Sequence, residues 1–209
     1  MITDRQTKIL QEARDFAYAE LKDETSGHDW WHIVRVTNIA VEIAKQERAD
    51  VFICELAALL HDIADGKLNE SEEVGLQKVE QWLQNHQASE AEIAHVLEIV
   101  STMSFKGDHQ QKNISTLEGK IVQDADRLDA IGAIGIARAM AYSGHIGRPI
   151  HDPDLQLREN MTLEEYRTGK SSAIMHFYEK LLKLKDMMNT AAAQKMAESR
   201  HRFLEEYYE

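Results

Sequence analysis

Residues Val51–Asp65 read VFICELAALLHDIAD, and the fold turns on this stretch. Every residue from Val51 to Leu60 except Glu55 is apolar, and Asp50 immediately before the run is a helix N-cap type. The spacing predicts a short helix buried on most sides that runs directly into His61 and Asp62. An ionised carboxylate in such a place needs a cation or strong hydrogen-bond donors.

Working outward, helical spacing recurs almost throughout. Ile9, Leu10, Ala13, Phe16, Ala17 and Leu21 stripe a first amphipathic helix over residues 4–22. A second, with Ser26 as its expected N-cap, reaches about Glu47 and turns Ile33, Val36, Ala40, Ile43 and Ala44 to the core. Downstream, two more amphipathic segments fall near 70–85 and 89–104, and 105–115 reads as a loop. Residues 117–142 then read as one buried helix, with Gly132, Gly135 and Ala139 leaving a face small enough for close backbone approach. Both prolines, Pro149 and Pro153, fall in the irregular stretch 144–160, the kind of long loop that serves as a lid or binding loop. Closing helices are expected at 162–187 and 190–208. The prediction is an all-α single domain, with a core of about 25–145 followed by an irregular loop and closing helices over 146–209.

Composition agrees. Only 2 Pro and 10 Gly occur in 209 residues, too few turns for a sandwich or barrel. Lys and Arg number 24 against 36 Asp and Glu, a net charge of −12, which disfavours a phosphate polymer as partner. A small anion is still admitted if the site carries local positive charge. Cys54, the lone cysteine, reads as a buried thiol in a reducing compartment. With no signal core and no apolar run of about 20 residues, the expected location is cytoplasmic.

The chemistry-bearing residues are His and Asp where a core helix should be apolar. His28, His32 and Arg35 share a helical face. Asp124, Asp126 and Asp129 lie in the later buried helix beside Arg127. Each has a plain structural account: Asp124 caps a helix, Asp129 pairs with Arg127 or Lys120, His86, His145 and His201 are ordinary core or surface imidazoles, and Trp30 and Trp31 are core. Together, His32, His61–Asp62 and Asp126 come from three helices that could converge, and two imidazoles with two carboxylates suit Mn, Fe, Co, Ni or Zn better than Ca. Glu92-x-x-His95 and Glu198-x-x-His201 match the motif pair of di-iron helical bundles, a remote alternative.

The order His32…His61-Asp62…Asp126 resembles the H…HD…D signature of the HD-domain superfamily of metal-dependent phosphohydrolases. GHDWWHIVRV, ELAALLHDIAD, MSFKG, IVQDADRLDAIGAIGIARA and GKSSAIMHFYEKLLKLKDMMNT extend the likeness along nearly the whole chain, toward the bacterial YpgQ/YedJ-like subfamily. The resemblance implies His32, His61, Asp62 and Asp126 as ligands of one divalent metal, Mn preferred, with Co, Ni, Fe, Zn or Mg also admitted. Asp126 is favoured over Asp124 by the context Ala125-Asp126-Arg127-Leu128. Asp65 matches an acidic position that activates water in nucleotide-cleaving relatives, although those carry the longer Glu. His95 and His109 lie where some relatives place second-metal ligands.

Phosphoryl charge would meet Lys67, Lys106, Arg127 and Arg35, and His28 would contact substrate or cap its helix. The implied activity is hydrolysis of a nucleotide or related phosphate compound, a (deoxy)nucleoside triphosphate cleaved to monophosphate and pyrophosphate being one form. A slow metal- or nucleotide-binding regulatory module is the alternative. The expected partners are a small phosphorylated molecule and, in a homo-oligomer, further copies of the chain.

Overall fold

The computed structural model describes residues 2–24, 27–65, 68–103, 114–156, 158 and 169–208. All regular structure among them is helical: α1 (Asp4–Leu21), α2 (Trp30–Glu47), α3 (Val51–Leu60), a 3-10 turn (His61–Ala64), α4 (Glu72–Asn85), α5 (Glu90–Met103), α6 (Leu117–Asp129), α7 (Gly132–His145), α8 (Ala173–Glu179), a 3-10 segment (Leu181–Met187) and α9 (Ala191–Tyr208). No helix among the described residues is long and apolar enough to cross a membrane. The chain divides into two compact units, residues 1–104 with 113–125, and residues 105–112 with 126–209.

In the first unit α3 packs against α1, α2 and α5. That explains its composition: Phe52, Ile53, Cys54 and Leu56–Leu60 are all buried, and Glu55 meets Arg14 at 3.3 Å. Asp50 caps α3 by accepting from the Phe52 and Ile53 N–H groups. Burial pushes the Cys54 thiol up, with Glu118 and Asp50 adding to it, so the thiol stays protonated. The 3-10 turn carrying His61 and Asp62 packs on α4 and α5.

In the second unit α7 packs on α9 and α8, and the segment 181–187 on α8 and α9. Buried carboxylates here meet guanidinium groups. Asp129 pairs with Arg138 at 3.0 Å, and Glu179 pairs with Arg158 at 2.8 Å while accepting from the Ser171 hydroxyl.

Several expected boundaries shift. Asp29, not Ser26, caps α2, its carboxylate accepting from the His32 N–H at 2.9 Å; Ser26 lies outside the described residues. The single helix expected over 117–142 is two, because Gly132 takes φ +75, a left-handed conformation, and the chain restarts as α7. The small face at Gly135 serves that corner, since a Cβ there would stand 2.2 Å from the Ala130 carbonyl oxygen. Arg200 closes the end of α6 by donating to the Leu128 carbonyl at 2.6 Å. Ser172 caps α8, which ends at Glu179. Beyond it the backbone tightens to about three residues per turn, burying Leu181 and Leu184 together. Trp31 is 63% exposed rather than core, while Trp30 meets Tyr18 edge-on.

Candidate metal centre

The site in the first unit is built from the start of α2 and the turn after α3. The Asp29 cap holds the first turn of α2, and His32 on that turn is fully buried. Before the cap, Gly27 takes φ 92 and redirects the chain so that the His28 ring lies over the same spot. From the other side, α3 delivers His61 and Asp62 on a 3-10 turn. Asn69 donates to the Ile63 and Asp65 carbonyls and ties down that turn's exit. Gly75 of α4 lies flat against it: a Cβ there would fall 2.6 Å from the Ala64 oxygen and 2.7 Å from the Ala64 Cα.

Asp62 is the centre of the arrangement. Its Oδ2 stands 3.0 Å from His28 Nδ1 and 3.4 Å from His32 Nε2, and its Oδ1 stands 3.3 Å from His61 Nε2. The rings follow one another edge-on, His28 to His32 at 5.5 Å and His32 to His61 at 5.4 Å. Ligating atoms of His28, His32 and Asp62 all lie within 4.8 Å of one another. Burial pushes the Asp62 carboxyl up, but His61, His28 and His32 outweigh it and hold the group well below the usual carboxylate range. His61 is itself oriented, since its Nδ1 stands 2.8 Å from the Ala58 carbonyl oxygen and must donate there.

The other expected site residues are distributed as follows. Asp65 closes the 3-10 turn, half-buried, its N–H donating to the Asp62 carbonyl. Arg35 is half-buried on α2. Asp126, half-buried on α6, is the first residue of that helix assigned to the second unit. Arg127 is buried and donates from Nη1 to the Met187 carbonyl. Lys67, Lys106 and His109 lie outside the described residues.

Asp124 is buried within α6 and so caps no helix, and Asp129 meets Arg138 at 3.0 Å. The di-iron pattern dissolves. Glu92 is held by Arg5, Gln6 and Ser89, His95 faces Glu118, and His201 faces Glu205. Neither motif joins a cluster of three ligating side chains among the described residues. His86 stacks on Trp82 at 4.0 Å and its Nδ1 bonds the Trp82 carbonyl, an ordinary structural imidazole. Nothing in the sequence marks Asn69, and a glycine inside a helical pattern is the one signal for Gly75.

Known proteins are similar to this chain. The HD domain matches residues 30–131, from the start of α2 to the corner after α6. YpgQ of Bacillus subtilis is 39% identical over 201 residues, covering 96% of this chain and 90% of its own. The chain belongs to the HD-domain family. Solved HD-domain relatives share the architecture over nearly the whole length. A Lactobacillus plantarum protein superposes with a TM-score of 0.86 at 41% identity, covering 99% of this chain and 95% of its own. YpgQ in complex with ADP gives 0.79 at 37%, with coverages of 98% and 93%. An HD-superfamily hydrolase of Bacillus thuringiensis gives 0.76 at 46%, with coverages of 97% and 94%. This HD-domain chain therefore falls in the hydrolase class.

Proposed function

We propose that this HD-domain chain is a metal-dependent phosphohydrolase acting on a small phosphorylated substrate, a nucleotide first of all. The observation that carries the reading is the His61 ring. With Nδ1 donating to Ala58, a neutral imidazole turns the lone pair of Nε2 toward Asp62 Oδ1, 3.3 Å away. Two acceptors then face each other, and a cation held by both resolves the conflict. A ligating histidine whose other nitrogen donates to a backbone carbonyl is the usual arrangement at metal centres. The donor set of imidazoles and carboxylate fits a divalent transition metal, Mn first.

On this reading His32, His61, Asp62 and Asp126 hold one ion. His95 is turned to Glu118 at 3.6 Å, which favours one metal over two. When bound, the metal polarises a phosphoryl oxygen and lowers the pKa of a bound water. The Asp65 carboxylate, tied through its backbone to Asp62, orients the attacking water and accepts its proton. Lys67, Lys106 and Arg35 supply charge to the phosphoryl oxygens. Arg127, which donates from one nitrogen to the Met187 carbonyl, is the further guanidinium of this reading. His28, on the rim, is the remaining substrate contact of the sequence reading. Nucleotide as substrate class is supported by the ADP found with YpgQ; cleavage of a (deoxy)nucleoside triphosphate to monophosphate and pyrophosphate is the finest form of the proposal.

A panel of nucleotides and generic phosphoesters assayed with Mn, Co, Ni and Mg tests it, with product analysis separating pyrophosphate from single-phosphate release. Metal-stimulated release of pyrophosphate, lost in His61→Ala, is expected. Turnover of no compound, while a nucleotide still raises the melting temperature, would replace the enzyme with a binding module.

A further inference from the structure

Resting on the metal-centre reading above, we infer that His28 is a positioning residue: its Nδ1–H holds the Asp62 carboxylate in place for the cation, and the ring itself neither ligates the cation nor contacts substrate. An N–H···O hydrogen bond spans about 2.7–3.2 Å. Of the three imidazole nitrogens facing Asp62, His28 Nδ1 falls in that range, at 3.0 Å from Oδ2. His32 Nε2 and His61 Nε2 stand farther off, at 3.4 and 3.3 Å. An ionised carboxylate only accepts, so Nδ1 carries the hydrogen whether the His28 ring is neutral or charged. A neutral His61 is no second donor to Asp62, because its one N–H is given to the Ala58 carbonyl.

That hydrogen bond divides the work around the carboxylate. One lone pair of Oδ2 goes to His28, which fixes the carboxylate plane. The remaining acceptor capacity of Asp62 is left for a cation that His32 and His61 also hold. A carboxylate that ligates a metal is characteristically oriented in this way by a donor outside the ligand set. The His28 ring also stands edge-on to that of His32, with centroids 5.5 Å apart and planes at 83°. One side chain thus braces two of the residues that hold the ion.

The backbone on either side of His28 sets its reach. Gly27 before it takes φ 92, which side-chain-bearing residues rarely adopt, and Asp29 after it caps α2. The His28 side chain is 28% exposed against 8% for that of Asp62, so the ring closes the outer side of the carboxylate. With the ring removed, water would fill the place, a donor that does not hold the carboxylate to one orientation.

The test titrates Mn2+ alone, without substrate, into the full chain as wild type, His28→Ala, His28→Asn and His28→Gln. An Asn amide nitrogen can take the place of Nδ1, whereas that of Gln falls where Nε2 stands. His28→Ala should raise the Mn2+ dissociation constant about 10- to 100-fold. His28→Asn should recover most of that loss, and His28→Gln should not. With Mn2+ saturating, His28→Ala should keep the wild-type Michaelis constant for any nucleotide the enzyme turns over. Wild-type Mn2+ affinity in His28→Ala overturns the inference, and a raised Michaelis constant alongside it would return His28 to substrate contact. An Asn variant that binds Mn2+ no better than Ala or Gln overturns it as well, since a directly ligating imidazole would behave so. Should His28→Ala fail to fold, the contrast between Asn and Gln decides alone. A wild type that binds no Mn2+ would sink the metal-centre reading and this inference together, whereas failure of every phosphate compound to turn over would sink the phosphohydrolase reading and leave the Mn2+ comparison standing.

Discussion

Asp62 in the first unit and Asp129 in the second are both buried carboxylates, 5% and 2% exposed, yet they are neutralised by different chemistry. Asp129 meets the Arg138 guanidinium at 3.0 Å, and Glu179 of the same unit meets Arg158 and the Ser171 hydroxyl in the same manner. A guanidinium is charged at every accessible pH, so those carboxylates are complete as they stand and serve the fold. Asp62 is ringed instead by imidazoles, which are neutral or charged according to pH and which also ligate metals. Burial alone therefore does not mark a functional carboxylate. On the metal-centre proposal, the kind of cation facing it does.

The largest effect that would break this contrast is at Asp62. With Mn2+ at about 100 times its dissociation constant, the wild type should gain about 2.7 kcal/mol of stability. Asp62→Asn should gain none and lose more than about a hundredfold in turnover. Thermal melts with and without Mn2+ decide the matter; a retained Mn2+ gain would place Asp62 with the structural carboxylates. Asp129→Asn should show the opposite pattern. Stranding Arg138 costs about 3 kcal/mol in urea unfolding, with the Mn2+ gain intact.

Much of this contrast is legible in the sequence alone. The apolar run of α3 with its Asp50 cap follows from composition and cap chemistry, and it ends on His61–Asp62 where the structure has them. What escaped depends on backbone angles and on partners far apart in sequence. Apolar periodicity continues through Leu128, Ile131 and Ile136 because both α6 and α7 bury a face, so it conceals the corner that Gly132 makes. The cap of α2 moved from Ser26 to Asp29 because two eligible cap types lie within three residues and only one precedes the first helical turn. The Glu92-x-x-His95 decoy had correct helical spacing. Which partner each side chain takes, Arg5 or Glu118, is set by neighbouring helices and not by spacing. The reach of His28 to Asp62 depended on Gly27 and was invisible for the same reason.

A titratable group in the second unit offers a smaller test of whether imidazoles there are structural. The His176 imidazole is pushed down to about 3, first by burial and then by the charges of Lys180 and Arg148. The unfolded chain takes up that proton below about 6.5, its ordinary value, whereas the folded chain does not until about 3. Protons therefore favour unfolding throughout that window, and stability falls as pH drops from 6.5, by at most about 1.4 kcal/mol per pH unit from this group. Comparing urea midpoints of the metal-free wild type and His176→Gln at pH 7, 6 and 5 isolates it. The difference between the two should shift progressively in favour of the variant; a constant difference would mean that His176 titrates normally in the fold.

The smallest effect belongs to the exposed version of the guanidinium–carboxylate pair. Arg5 grips Glu92 through two nitrogens, at 2.6 and 2.9 Å, and Ser89 and Gln6 donate to the same carboxylate. The Arg5 hydrogen bond above all draws the Glu92 carboxyl down to about 2. Its contribution is thus present above the ordinary value of 4.5 and is lost as pH falls through about 2. The Arg5 side chain is 41% exposed, so water and salt screen the pair, and Arg5→Gln should cost only about 0.5–1 kcal/mol at neutral pH. Urea unfolding at pH 7 in low and high salt measures it, and high salt should shrink the cost. A cost near that of Asp129→Asn would show that bidentate geometry, rather than exclusion of water, sets the strength of these pairs, and the ranking of carboxylates by their surroundings would have to be redrawn on geometry.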